Sequence, residues 1–217
     1  MADARASILG RLRAAGAEAP LPPPDTAVMA RRRWNPVERV TRLRQCMELV
    51  HTEFLEASPS TWPSVIKGFC VKEGLTNLLF GPHSDAGRDL AAAWGEGGPV
   101  LAPYDQPVEA FKETLFHQIQ AGFTGSLAGV AETGGILLEP GPGEPRLLSL
   151  VPPIHIALLR AATIKDSLWW AIRELGWGER IPPNALLISG PSKTADIEMN
   201  VVTGVHGPNV VKTFGLS

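Results

Sequence analysis

The feature that most constrains the fold of this chain is its alternation of short apolar strands with helical segments. A strand predicted at 76–80 is followed by a helix at 84–94, and a strand at 100–102 by a helix at 108–117. Parallel strands need long crossover connections, which are usually helices. The alternation therefore predicts an α/β fold with a mostly parallel sheet that is covered on both faces.

The remaining elements are predicted from apolar periodicity and from the positions of Gly and Pro. Further helices are predicted at 2–16, from Asn35 through about Leu55, from Trp62, and at 167–175 with Asp166 as the cap. Further strands are predicted at 120–127, 128–132, 136–138, 146–150, 154–159, 185–188 and 210–214. Because a proline-rich strap at 18–25 follows the first helix, we predict an N-terminal segment at 1–27 and one folded domain at 28–217.

Composition narrows the classes of protein to consider. The 217 residues, 44% of them hydrophobic, suffice for a compact domain with a real core. The formal net charge of -2 does not favour nucleic acid or an anionic membrane as a partner. A basic cluster, Arg31 to Arg33, is either a solvated patch or a docking surface for an acidic partner.

Cysteine usage and hydropathy predict a cytoplasmic protein. Cys46 and Cys70 have neither metal-binding nor disulfide-framework spacing, so we expect no metal site and no iron–sulfur centre in this chain. We also expect no membrane span, because no apolar run is long enough for one. The N-terminus lacks the uninterrupted apolar core of a signal peptide.

The stretch from Leu187 to Pro208 concentrates the polar chemistry of the chain. An apolar run ends there in a small, hydroxyl-rich loop, in which Gly190 allows close backbone approach and Lys193 supplies a positive charge. Such a loop can bind an anion, and its predicted ligand-binding residues are Ser189, Gly190, Ser192, Lys193, Thr194 and Glu198. Asp196 and His206 in the same stretch are candidate catalytic groups for proton transfer.

Two further positions each allow two interpretations. Glu132 lies on a predicted turn with Thr133 and Gly134, which are further candidate ligand-binding residues. The Glu132 carboxylate is either satisfied by backbone donors or acts as a nucleophile or general base. His155 follows a double-proline kink at 152–153, and it is either a satisfied core histidine or a ligand-binding residue aimed at a site.

Four motifs in order give the chain a resemblance to the LUD-domain family. They are Ala131–Gly134, Leu150–Ile156, Ser189–Glu198 and Gly204–Pro208. The sequence departs from the family pattern at Gly135, where a threonine is usual, and at Lys193, where an arginine is usual. The resemblance implies a three-layer α/β/α sandwich similar to ribose-5-phosphate isomerase, glucosamine-6-phosphate deaminase and the CoA-transferases.

The resemblance also implies a role in a multi-subunit system that oxidises L-lactate to pyruvate. This chain would be a non-redox subunit that binds a small carboxylate or organises partner subunits, and the iron–sulfur clusters would belong to those partners. The alternative is a stand-alone enzyme, either CoA-transferase-like with Glu132 as the nucleophile or sugar-phosphate isomerase-like with a phosphate at the 189–194 loop.

Overall fold

The computed structural model describes residues 2–15, 25–195, 201–204 and 207–216. Two compact units divide between Arg31 and Arg32. The first contains helices α1 (Ala2–Ala15) and α2 (Ala27–Ala30), and the second contains every other element. The domain boundary that we place after residue 27 stays a prediction.

A six-stranded sheet organises the second unit, and every neighbouring pair of its strands is parallel. The spatial order is β1-β12-β7-β4-β2-β3. Its strands are β1 (Thr52–Ala57), β2 (Asn77–Phe80), β3 (Val100–Pro103), β4 (Ala121–Gly125), β7 (Ile154–Arg160) and β12 (Val210–Leu216). The prediction of a mostly parallel sheet is confirmed.

Helices cover both faces of this sheet, because alternate residues of each strand are apolar on opposite sides. On one face, α4 (Trp62–Lys72) and α5 (Asp85–Ala93) enclose a core in which Trp62 stacks on Phe123 with ring centroids 5.7 Å apart. The other face contacts α3 (Pro36–Leu49), α6 (Val108–His117) and α7 (Leu147–Leu150). The three-layer arrangement is therefore confirmed.

A second, four-stranded sheet lies beside α3 and was not predicted as a separate sheet. Its order is β8-β5-β6-β9, with β5 (Ala128–Val130), β6 (Gly135–Leu138), β8 (Ile164–Lys165) and β9 (Leu186–Ile188). A short 3-10 helix (Ala161–Thr163) precedes β8, and α8 (Leu168–Glu174) follows it. The strands β10 (Lys193–Ala195) and β11 (Val201–Thr203) form an antiparallel hairpin.

The structure corrects two predicted elements. The helix that begins at Asn35 ends at Leu49 rather than near Leu55, because His51 adopts the left-handed conformation with φ of 66° and the chain turns into β1. The segment predicted as a strand at 146–150 is instead the helix α7, which packs on β4 and β7. A continuous apolar run fits either element, so sequence alone could not decide between them.

Within the described residues, no helix is both long enough and apolar enough to cross a membrane.

Candidate functional site

The turn that carries Glu132 connects β5 to β6 and rests on α3. Gly134 is buried with φ of 67°, and a Cβ added there would lie 2.7 Å from the backbone of Cys46 and Met47. Only glycine satisfies both the left-handed conformation and this close approach. The backbone of the turn is therefore held firmly against the C-terminal half of α3.

The Glu132 carboxylate forms an ion pair with the Arg32 guanidinium. The two side chains are 29% and 58% exposed, so solvent screens the pair and its contribution to stability is small. The partner of Glu132 is thus a guanidinium rather than the backbone donors that one interpretation required. A catalytic role for Glu132 stays a prediction.

The polar loop after β9 lies directly beside this turn. Because Ile136 pairs with Ile188 in antiparallel register, the register places Gly135 opposite Ser189. A Cβ on Gly190 would lie 2.9 Å from the carbonyl oxygen of Val50 at the C-terminus of α3. Two motifs that are about fifty residues apart in sequence thus meet on one helix. Thr133, Ser189 and Lys193 are exposed residues of these motifs.

The motif at Gly204–Pro208 holds the loop at Ser192 through backbone hydrogen bonds. The Ser192 N–H donates to the Pro208 carbonyl at 2.9 Å, and the Gly204 N–H donates to the Ser192 carbonyl at 2.8 Å. The Ser192 N–H is therefore already used and is not available to an anion. A bound anion would depend on side-chain hydroxyls and on Lys193, which begins the hairpin opposite Thr203.

Three predicted site residues, Asp196, Glu198 and His206, lie outside the described residues. Thr194 is described as a backbone position of β10, where it pairs with Val202. The roles predicted for these four residues stay predictions.

His155 is fully buried on β7. Its Nε2 atom lies 2.9 Å from the Thr124 hydroxyl, and burial lowers its pKa to about 4. Its Nδ1 atom has no hydrogen-bond partner within the part of the chain that the structure describes. The histidine is therefore neutral near pH 7, and its environment is that of a core residue, although a ligand-binding role stays a prediction.

Asp166 does not cap a helix as predicted. Ser167 is the N-cap of α8, and the buried Asp166 carboxylate accepts hydrogen bonds from the Trp34 N–H at 2.7 Å and from Arg39 at 3.0 and 3.1 Å. The guanidinium of Arg33 lies 3.6 Å from the same carboxylate. Asp166 thus ties the start of α3 to the second sheet.

Two arginines of the basic cluster contact other side chains of the second unit as well as solvent. Arg33 is half-exposed, and its guanidinium lies 3.3 Å from the centroid of the Trp170 ring. Arg32 pairs with Glu132, as described above. These two arginines therefore have partners within the chain and are also about half exposed. Docking of an acidic partner at the cluster stays a prediction.

Sequence reasoning missed a cleft of about 400 Å³ at the carboxyl ends of β2, β4 and β7. Its polar lining includes Ser84, Glu144 and Arg160. Ser84 was recognised only as the N-cap of α5, a role that the structure confirms through its bond from the Gly87 N–H at 3.0 Å. The available signal was the Gly-Pro pair after β2 together with the loop at 141–145.

Comparison with known proteins identifies the family. The model of the LUD domain matches residues 40–213. The chain is 34% identical over 217 residues to the uncharacterized protein NMB1437 of Neisseria meningitidis serogroup B, covering 95% of this chain and 90% of that protein. It is 39% identical over 168 residues to lactate utilization protein C of a Geobacillus species, covering 73% and 70%.

A solved structure agrees on the fold. The crystal structure of a DUF162 family protein from Deinococcus radiodurans superposes with a TM-score of 0.62, at 17% identity, and covers 85% of this chain and 100% of that chain. At this identity the likeness concerns the fold alone. The resemblance inferred from the four motifs is confirmed by the sequence comparisons, and the chain belongs to the LUD domain family.

Proposed function

We propose that this protein serves lactate utilization as a non-redox subunit that binds a small carboxylate. The observation that carries the proposal is the similarity to proteins named lactate utilization protein C, which in one case extends over 73% of this chain at 39% identity. The proposed setting is a multi-subunit, cytoplasmic system that oxidises L-lactate to pyruvate.

The proposed carboxylate site is the surface formed by the turn at 131–134 and the loop at 189–193. Lys193 supplies the charge, and Ser189 and Thr133 are exposed residues of the same two segments that carry hydroxyls. Charge-assisted hydrogen bonds of this kind are stronger than those between neutral groups. The contacts of Gly134 and Gly190 with α3 support the proposal, because they hold both backbones in place before a ligand arrives.

The proposed partners are iron–sulfur subunits. Within the described residues no group of three His, Cys, Asp or Glu side chains is arranged to hold a metal. In the proposed assembly the electron-transfer centres belong to other chains. Both cysteines are free, as thiols in a reducing compartment would be.

Co-purification from the native cell would test the assembly, and recovery without any cysteine-rich partner would refute it.

The carboxylate site is tested by calorimetric titration of the purified protein with L-lactate and with pyruvate. We expect Lys193→Ala to weaken binding at least tenfold. The control is Lys112→Ala, which removes an exposed lysine of α6 and should leave binding unchanged. Both variants should keep the wild-type free energy of unfolding within about 0.5 kcal/mol, since exposed lysines contribute little to it. Unchanged affinity in Lys193→Ala would refute the site.

The CoA-transferase-like and isomerase-like alternatives stay predictions. Titration with acetyl-CoA and ribose 5-phosphate in the same experiment separates them from carboxylate binding. A hydroxylamine-sensitive adduct on Glu132 after incubation with acetyl-CoA would support acyl transfer.

A further inference from the structure

The cleft at the carboxyl ends of the parallel strands lies where this sheet changes direction. From β2 the chain passes to β3 on one side, and it then returns to β4 on the other side of β2. Ligands of open α/β sheets bind at such a reversal, outside the carboxyl ends of the strands. The volume of about 400 Å³ is in the range of small-molecule sites.

Glu144 is the carboxylate of the cleft without a cationic partner among the described residues. Its Oε1 atom accepts the Gly125 N–H at 2.9 Å, which fixes it at the end of β4. Burial raises the pKa of the Glu144 carboxyl, and hydrogen bonds from Gly125 and Ser84 offset that effect in part. The remaining lone pairs of this carboxylate can accept a further donor.

The other acids that line the cleft already have cationic partners. Asp85 is paired with Arg88, and Glu139 lies 3.5 Å from Arg180. Each of these two acids therefore has a cation beside it, and Glu144 is the acid of the lining that has none among the described residues.

Arg160 supplies the opposite charge. It ends β7 and lines both this cleft and a neighbouring one that includes Asp89. No carboxylate of the described chain lies within salt-bridge distance of Arg160. Gly125 pairs with Leu158, two residues before Arg160. Strand spacing then puts the Cα atom of Arg160 roughly 8 Å from that of Gly125, so the long guanidinium side chain can reach over the space beside Glu144.

We propose that this cleft binds a small carboxylic acid that carries a hydrogen-bond donor on its second carbon. The Arg160 guanidinium binds the carboxylate through its two parallel donors, and Glu144 accepts the hydroxyl or ammonium group. Both 2-hydroxy acids and 2-amino acids have this chemistry. The site is separate from the surface at 131–134 and 189–193, and it does not depend on that surface being a carboxylate site.

The test is ligand-observed NMR titration of the full chain with three acids that share a three-carbon skeleton: L-lactate, L-alanine and propionate. Propionate lacks the donor on carbon 2, so we expect it to bind at least tenfold more weakly than the better of the other two. In a Lys193→Ala background, which removes the surface site proposed above, binding of that better ligand should fall at least tenfold on adding Arg160→Gln or Glu144→Gln. The amide of Glu144→Gln can still accept the Gly125 N–H, and circular dichroism verifies that each variant is folded.

Two controls separate this site from the one proposed above. Arg146→Gln removes an exposed arginine that lies outside the cleft lining, and it should leave binding unchanged. In the Lys193→Ala background, a tenfold loss on adding Arg160→Gln supports the cleft as a site distinct from the surface. A smaller loss in Arg160→Gln, or no binding of any of the three acids, overturns it, and equal binding of propionate overturns the role of Glu144.

Discussion

The buried histidine should make the stability of this protein depend on pH in a defined way. His155 has no exposed surface, and burial lowers its pKa from 6.5 to about 4. In the unfolded chain the imidazole takes up a proton below pH 6.5, whereas in the folded chain it stays neutral until about pH 4. Acid therefore favours the unfolded state, and the stabilisation present above pH 6.5 is lost as the pH falls towards 4.

The size of this effect follows from the two pKa values. One pH unit of difference corresponds to about 1.4 kcal/mol, so the free energy of unfolding should fall by about 2 kcal/mol between pH 6.5 and 5, and by about 3 kcal/mol in full. His155→Gln removes the titrating group. The free energy of unfolding of this variant should therefore lack this part of the pH dependence, even if the substitution also changes its absolute value.

Urea unfolding followed by tryptophan fluorescence measures the effect at several pH values from 5 to 7.5. For the wild type and for His155→Gln, we compare how much the free energy of unfolding changes across that pH range. The matched control is His117→Gln, because the His117 side chain is 71% exposed and should leave the wild-type pH dependence intact. Parallel curves for the wild type and His155→Gln would refute the reasoning.

Two further substitutions test contacts that hold the candidate site. Asp166→Ala removes a buried carboxylate and leaves Arg39 without its partner, so urea unfolding should show that the free energy of unfolding falls by about 3 kcal/mol. The control is Asp105→Ala, which removes an exposed carboxylate and should change this free energy little. Equal stability of the two variants would contradict the ion pair. Gly134→Ala should cost about 2 kcal/mol or more, because its Cβ would strike the α3 backbone in a left-handed conformation. Gly178→Ala, where nothing lies within 4 Å, is the control, and a similar small loss in both would show that the turn does not rest on the helix.

The helices of the second unit were largely predictable from local chemistry. Ser84 and Asn35 accept hydrogen bonds at the starts of α5 and α3, as capping residues do. The strand β1 was not predictable in this way, because Phe54 continues the helical spacing of α3. What makes residues 52–57 a strand is the left-handed turn at His51 and pairing with β12, which is far away in sequence.

The candidate site was predictable as a set of motifs but not as an arrangement. Nothing local indicates that the Glu132 turn lies beside Ser189, since that neighbourhood depends on the pairing of β6 with β9. The cleft at Glu144 and Arg160 depends even more on the order of the strands in the sheet. Periodicity and turn chemistry locate elements along a chain, and they do not say which distant elements become neighbours.

The position of β12 has a consequence for biosynthesis. The strand β12 lies second in the sheet, between β1 and β7. In the sequence, however, about 150 residues separate the end of β1 from the start of β12. At about 5–20 residues per second, ribosomes need roughly 8–30 seconds to translate that interval. During this time β1 has no strand to pair with in its native sheet, so the nascent chain must be protected from edge-to-edge association until translation passes β12.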